Sequence, residues 1–262
     1  MSTLVYPQLG TGALGQYPIR KRRTLRTVVN QAADGSTVRL SDPAAETTEW
    51  RLEYDGLTDS EMDALQTFFT AAEGTLNGFT FLDPAGNLLA RSGDLVHAVW
   101  ERAPMLTATA GIEDPGGGTK AWRITNSGGG SQALSQIIAA PAGYLYCFSL
   151  WARASQPGEI TLSIGDARTT RDVTEKWSRV SCSATGDPAA ESIAFGLELP
   201  AGACVEVFGL QAEAQSAASG YMPTTLGGVY QNARLGDDAL IVTTSGPNRH
   251  SCIVNIIHAN HL

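Results

Sequence analysis

Between residues 88 and 223 the sequence breaks every ten or so residues at a cluster of glycine, proline and aspartate. Asp114-Pro-Gly-Gly-Gly118, Gly128-Gly-Gly130, Gln156-Pro-Gly158, Gly186-Asp-Pro188 and Pro200-Ala-Gly202 are such breaks. Between them lie short runs rich in apolar and β-branched residues: Ala121–Thr125, Tyr144–Ala152, Ile160–Ile164, Trp177–Cys182, Ser192–Leu199 and Val205–Gln211. The intervals are too short for amphipathic helices, and glycine and proline end a ladder as readily as a helix. The cadence predicts an antiparallel sandwich or jelly roll, so the fold class is mainly β.

The flanks read differently. Thr24–Asn30 and Ser36–Leu40 are strand candidates around Ala33-Asp-Gly35, a hairpin-type turn. Trp50-Arg-Leu-Glu-Tyr54 alternates large apolar and charged residues, as a half-buried strand does. Thr58 and Glu61 form a capping box, Met62, Leu65, Phe68 and Phe69 follow at helical spacing, and Gly74 ends the run. Phe79-Thr-Phe81 is the next strand, stopped by Asp83-Pro84.

Ala239–Thr243 and Ser251–Ile257 predict two more strands around a Ser245–Asn248 turn. Two strands are not stable alone, so they are expected to pair with the first unit. The resulting organisation is a discontinuous β-barrel-type domain over 1–87 and 224–262, carrying one short helix, with the sandwich inserted over 88–223.

The formal net charge is −8 over 262 residues. Phosphate contacts need an excess of lysine and arginine, so sequence-specific nucleic-acid binding is not expected. No apolar run approaches the roughly 20 residues that cross a bilayer, and the start of the chain lacks a secretory pattern. Membrane insertion is therefore not expected, and the protein reads as one made in the cytosol. Cys147, Cys182, Cys204 and Cys252 form no CxxC pair and read as free thiols.

The histidines are His97, His250, His258 and His261, and no Gly-x-Ser-x-Gly, HExxH, Walker or dinucleotide pattern accompanies them. No catalytic constellation is expected. The three C-terminal histidines fit a metal site or surface alternation equally, and no metal ligand set is assigned. Asp83, Asp94 and Asp114 fall in turns, where aspartate caps its own backbone; a structural calcium there has no oxygen-rich loop behind it, and no cofactor is expected.

Two resemblances sharpen these readings. Trp50–Phe69 followed by Gly74-Thr-Leu-Asn-Gly-Phe-Thr-Phe-Leu-Asp-Pro84 resembles the phage distal tail protein family of siphophages and gene transfer agents. That resemblance implies a barrel domain, six copies of which ring the end of a tail tube. The middle segment resembles the carbohydrate-binding-like sandwich modules of phage tail proteins. Its motifs are Asn87-Leu-Leu with Trp100, Tyr144–Ala154, Trp177-Ser-Arg179, and Phe208-Gly-Leu-Gln-Ala-Glu213 with Tyr221-Met-Pro-Thr224.

Sugar rings stack on aromatic faces, so the candidates are Trp100, Trp122, Trp151 and Tyr144. Trp100 and Trp122, beside turns, are expected to be the exposed ones. The Tyr144–Ala152 run is apolar on both faces, so Trp151 is expected under the second sheet. The basic run Arg20-Lys-Arg-Arg23 is assigned to subunit or tail-tube contact.

The expected whole is a virion structural protein at the tail tip. It would form a homo-oligomeric ring, a hexamer by the resemblance, between tail tube and baseplate hub or fibre proteins, and would display a module for host-surface carbohydrate. A purely architectural tail protein, or the binding module of a cell-wall-degrading tail enzyme, are the alternatives.

Overall fold

The computed structural model describes residues 4–259, and its contacts divide the chain into two compact units. In chain order the elements are β1 (Arg20–Gln31), β2 (Thr37–Leu57), α1 (Asp59–Ala72), β3 (Phe79–Leu82), β4 (Glu101–Arg102), β5 (Leu106–Ile112), β6 (Ala121–Asn126) and β7 (Gln132–Ile138). They continue as β8 (Leu145–Arg153), β9 (Gly158–Ile164), β10 (Ala167–Val173), β11 (Ser178–Thr185), β12 (Ile193–Leu199), β13 (Cys204–Glu213), β14 (Val229–Leu235), β15 (Val242–Gly246) and β16 (Arg249–Ala259). The protein is mainly β, and its named strand pairs are antiparallel.

The first unit comprises the chain up to Gly10, Gly15–Phe81 and the chain from Tyr230 onward. Its sheet runs β1-β2-β16-β14-β3, with β15 also on β16. The C-terminal strand is thus interior: β16 pairs with β2 from His250↔Leu57 to Ala259↔Thr47. The pairing is enforced by alternation, because Trp50, Leu52 and Tyr54 of β2 and Cys252, Val254 and Ile256 of β16 are all buried.

Trp50 meets Phe81 and Tyr230 edge-on, with centroids 5.0 and 4.6 Å apart, and Tyr6 meets Phe68 at 5.2 Å. Helix α1 joins this core through Met62, Leu65, Phe68 and Ala72, while Phe69 is only half-buried. Its start is fixed by the capping box, in which the Thr58 hydroxyl accepts from Glu61 N–H and the Glu61 carboxylate accepts from Thr58 N–H at 3.0 Å. It ends in a left-handed Glu73, one residue before Gly74.

Two expectations for this unit are corrected. The two N-terminal strand candidates belong to a hairpin whose second strand runs 21 residues into Trp50–Tyr54. Pro43 is tolerated inside it because the register between β1 and β2 slips there, between the Thr24 and Arg26 pairings. The run Ala239–Thr243 is mostly not strand: β15 begins at Val242, and Ile241 is 78% exposed.

The second unit comprises Thr11–Leu14 and Leu82–Val229. It holds two five-stranded sheets, β10-β9-β12-β7-β4 and β11-β8-β13-β6-β5. Phe148 and Tyr146 of one sheet pack against Phe195 of the other, with centroids 5.9 and 5.5 Å apart. Strands β5, β7 and β10 were not foreseen; in β5 and β10, Thr-rich runs such as Thr107-Ala-Thr109 and Thr169-Thr170 carry little apolar pattern.

Candidate functional site

The segment that closes the sandwich is held by buried amides. Asn87, with no exposed surface, donates through Nδ2 to Leu210 O at 2.9 Å and Met222 O at 3.3 Å. Its Oδ1 accepts from the N–H of Leu89 and Ala212, each at 3.1 Å. Gln211, equally buried, donates to Gly220 O at 3.1 Å and accepts from Met222 N–H at 2.7 Å. Glu213 accepts from Ser219 N–H at 3.1 Å. Each amide satisfies backbone groups that would otherwise be buried without partners, which fixes residues 87–92 and 214–224 relative to β13.

These bonds place Tyr221. Its ring meets Phe208 edge-on at 5.1 Å, its hydroxyl lies 3.2 Å from Ser92 Oγ, and burial raises its pKa despite that hydrogen bond. Beneath the ring is Gly209, at φ +69°, where β13 bulges between Phe208 and Gln211. Across the opening stands Trp122 of β6, half-buried, with its indole N–H donated to Gly93 O at 3.1 Å. Trp122 lies opposite Val207 and Ala110 in the ladder.

Together Trp122, Phe208 and Tyr221, with Ser92, Thr119 and Lys120 at the polar margins, line a groove of about 340 Å³. A groove of this size, with two aromatic walls hydrogen-bonded to neighbouring lining residues, can take one or two small rings.

The four aromatic candidates separate. Trp122 lines the groove. Trp100 does not and corrects the expectation: it is 5% exposed, and its indole N–H is donated to Arg91 O at 3.1 Å. Trp151 corrects the opposite expectation. It is half-buried and pairs with Arg179 and Phe208, while the residues from Tyr146 to Leu150 and Ala152 are the buried ones of β8. Tyr144 precedes β8 by one residue, whereas the Trp122 row crosses β8 at Ala152, about 26 Å along the strand. Its hydroxyl is pushed up to about 12 by burial. Phe208 and Tyr221 were not singled out as binding residues; they belong to the closing motif and carry no separate signal.

Two arginines of the basic run, and Arg26 beyond it, face carboxylates within the hairpin. Arg22 lies 3.9 Å from Glu49, Arg23 is paired with Glu46, and Arg26 lies 3.6 Å from Asp42. Lys21 sits over the rings of Trp50 and Tyr230, 5.4 and 5.8 Å from their centroids. Arg20 stands opposite Arg51 on β2. A larger groove of about 710 Å³ lies in the first unit, lined by Tyr17, Tyr54, Ile241, Ile253 and the Arg51–Glu53 ion pair.

The described histidines are held apart. His97 Nδ1 lies 3.2 Å from Val99 N, His250 Nε2 lies 2.7 Å from Asp59 Oδ1, and His258 packs against Tyr230 at 5.1 Å. His261 lies outside the described residues. Among the described residues no group of three His, Cys, Asp or Glu is placed to hold a metal ion. Asp114 instead accepts the N–H groups of Gly116, Gly118 and Lys120 at 2.9–3.1 Å; burial raises its pKa, and these bonds bring it below the ordinary value. Among the described residues no helix is long and apolar enough to cross a membrane.

No family model and no curated protein matches the chain. Among solved structures it is similar to the enzymatically active domain of tailspike protein 4 from bacteriophage CBA120, at 12% identity and TM-score 0.40, over 51% of this chain and 22% of that one. It is also similar to the CBM22-1 xylan-binding domain from Paenibacillus barcinonensis, at 14% identity and TM-score 0.40, over 51% and 98%. A third is TmCBM61, solved with beta-1,4-galactotriose, at 15% identity and TM-score 0.37, over 48% and 97%. Each likeness covers about half of this chain, at an identity that carries no function across.

Proposed function

We propose that the second unit is a carbohydrate-binding module whose site is the Trp122–Phe208–Tyr221 groove, and that the chain is a structural subunit of a phage-type tail tip. The observation that carries the first part is the groove itself. Two aromatic walls are fixed by hydrogen bonds to neighbouring residues of the groove, so a pyranose that stacks there meets rings that lose little freedom on binding.

Support for the tail-tip part is the sequence resemblance over Trp50–Pro84, together with the form of the hairpin. Strand β1 is an outer strand of its sheet, and the hairpin it makes with β2 leaves Leu25, Val29, Val38 and Leu40 half or more exposed. A long strand edge with exposed apolar side chains is a surface for pairing, and neighbouring copies in a ring would supply the pair. Weak saccharide contacts repeated around such a ring gain avidity, which suits attachment to a cell surface.

Calorimetry of the full chain against neutral and acidic oligosaccharides tests the module. Binding that Trp122→Ala removes while melting stays cooperative supports it; no binding to any saccharide refutes it. Light-scattering mass tests the ring. A multiple of the 27.6 kDa chain is expected, and a monomer at all concentrations counts against self-assembly.

A further inference from the structure

Most of the hydrogen-bonding capacity of the groove is already committed within the protein. Ser92 Oγ accepts from Thr224 N–H at 2.9 Å and from Thr224 Oγ1 at 3.1 Å, and it also meets the Tyr221 hydroxyl. The Trp122 indole N–H is donated to Gly93 O. Among the described residues that line the groove, no side chain is a carboxylate or an amide, and Lys120 alone is charged.

Lys120 is exposed, at the end of the turn that enters β6. Its backbone N–H is held by Asp114 Oδ2 at 3.1 Å, which fixes where the side chain starts. An ammonium group offers three donors and no acceptor. A neutral sugar presents hydroxyls that need acceptors as well as donors, whereas the one charged side chain at this margin only donates. A carboxylate matches it directly.

From this we infer that the groove selects an acidic saccharide, of the uronic-acid class, with the ring on the aromatic walls and the carboxylate on Lys120 Nζ. The inference rests on the groove being the saccharide site proposed above and names the class of ligand it takes. The net charge of −8 does not oppose it. Charges farther away than about 8 Å are largely screened at physiological ionic strength, and the Asp114 carboxylate, which the Lys120 ammonium does reach, is already occupied by three backbone N–H groups.

The test compares trigalacturonate with its methyl ester, which keeps the shape and removes the charge, against the full-length protein and its Lys120→Gln and Trp122→Ala variants. Lys120 is exposed, so Lys120→Gln is expected to melt as the parent does. Trigalacturonate is expected to bind about tenfold more tightly than the ester, as one charge-assisted hydrogen bond predicts, and Lys120→Gln should abolish that difference. Equal affinity for acid and ester, both lost in Trp122→Ala, overturns the acidic-ligand inference and leaves the groove as a saccharide site. If neither they nor a neutral panel of galacto- and xylo-oligosaccharides binds, the site reading itself fails and the inference with it.

Discussion

Tyr221 closes over Gly209 so tightly that a Cβ on the glycine would lie 3.1 Å from the ring's Cγ and 3.3 Å from both Cδ atoms. The backbone there also has φ +69°, a conformation that alanine adopts at a cost. Gly209→Ala is therefore expected to destabilise the protein by about 1–3 kcal/mol, through strain and displacement of the ring. It should weaken saccharide binding as well, because Tyr221 is a wall of the groove. A variant with unchanged melting temperature and unchanged binding would falsify the packing of the two residues.

Trp100 and Trp122 should separate in the same pair of assays. Trp100 is buried with its indole N–H bonded, so Trp100→Ala should cost about 3–5 kcal/mol, as for other truncated core aromatics. Trp122→Ala removes a half-buried ring and should cost less than half as much, while abolishing binding. Equal losses of stability from the two would mean that Trp122 is a core residue.

What could be read beforehand follows the range of the interactions involved. Helix α1 was legible because its capping box and apolar stripe are written within sixteen residues, Thr58 to Glu73. The strands that alternate, such as Trp50–Tyr54, were legible for the same reason. The groove was not. Trp100 and Trp122 look alike in sequence, each beside a turn, and only Arg91 O and Gly93 O decide how each indole is turned. The motif Phe208–Thr224 was recognisable, but its purpose lies in Asn87, whose bonds to Leu210 and Ala212 span 123 and 125 residues. The pairing of Arg22 with Glu49 and of Arg23 with Glu46 was likewise hidden, because it depends on a register slip that no periodicity announces, whereas Arg26 faces Asp42 in the register set by the turn.

Asn87 gives the third prediction. Asn87→Ala leaves two carbonyls and two N–H groups without their side-chain partner in a buried place. Unsatisfied groups cost about 1–3 kcal/mol each, and partial relaxation brings the expected loss to about 3–5 kcal/mol. Asn87→Asp keeps the acceptor but sets a buried carboxylate oxygen against the Leu210 and Met222 carbonyls, and should cost at least as much as alanine at pH 7. A loss below 1 kcal/mol in chemical denaturation of Asn87→Ala would show that the segment is not clipped through this amide.

Glu206 supplies the pH dependence. Burial alone would raise its pKa, but the guanidiniums of Arg123 and Arg153, hydrogen-bonded at 2.7 and 2.6 Å, outweigh burial and hold it below the ordinary 4.5. Arg153 is in turn stacked over Trp177, 4.8 Å from the ring centroid, so the pair is held on both sides. A carboxylate whose pKa is lower folded than unfolded stabilises the fold above the unfolded value, and that contribution disappears as pH falls through the folded one. Glu206→Gln should therefore be less stable than the parent by about 1–3 kcal/mol at pH 7, the range for hydrogen bonds to a charged partner. The gap should narrow steadily below pH 4.5 and close under stronger acid, where the parent's own carboxylate is protonated. Paired denaturation curves from pH 7 to pH 3 measure it. A gap that stays constant across that range would mean that glutamine loses packing rather than charge, and that the two arginines do not depress this carboxylate.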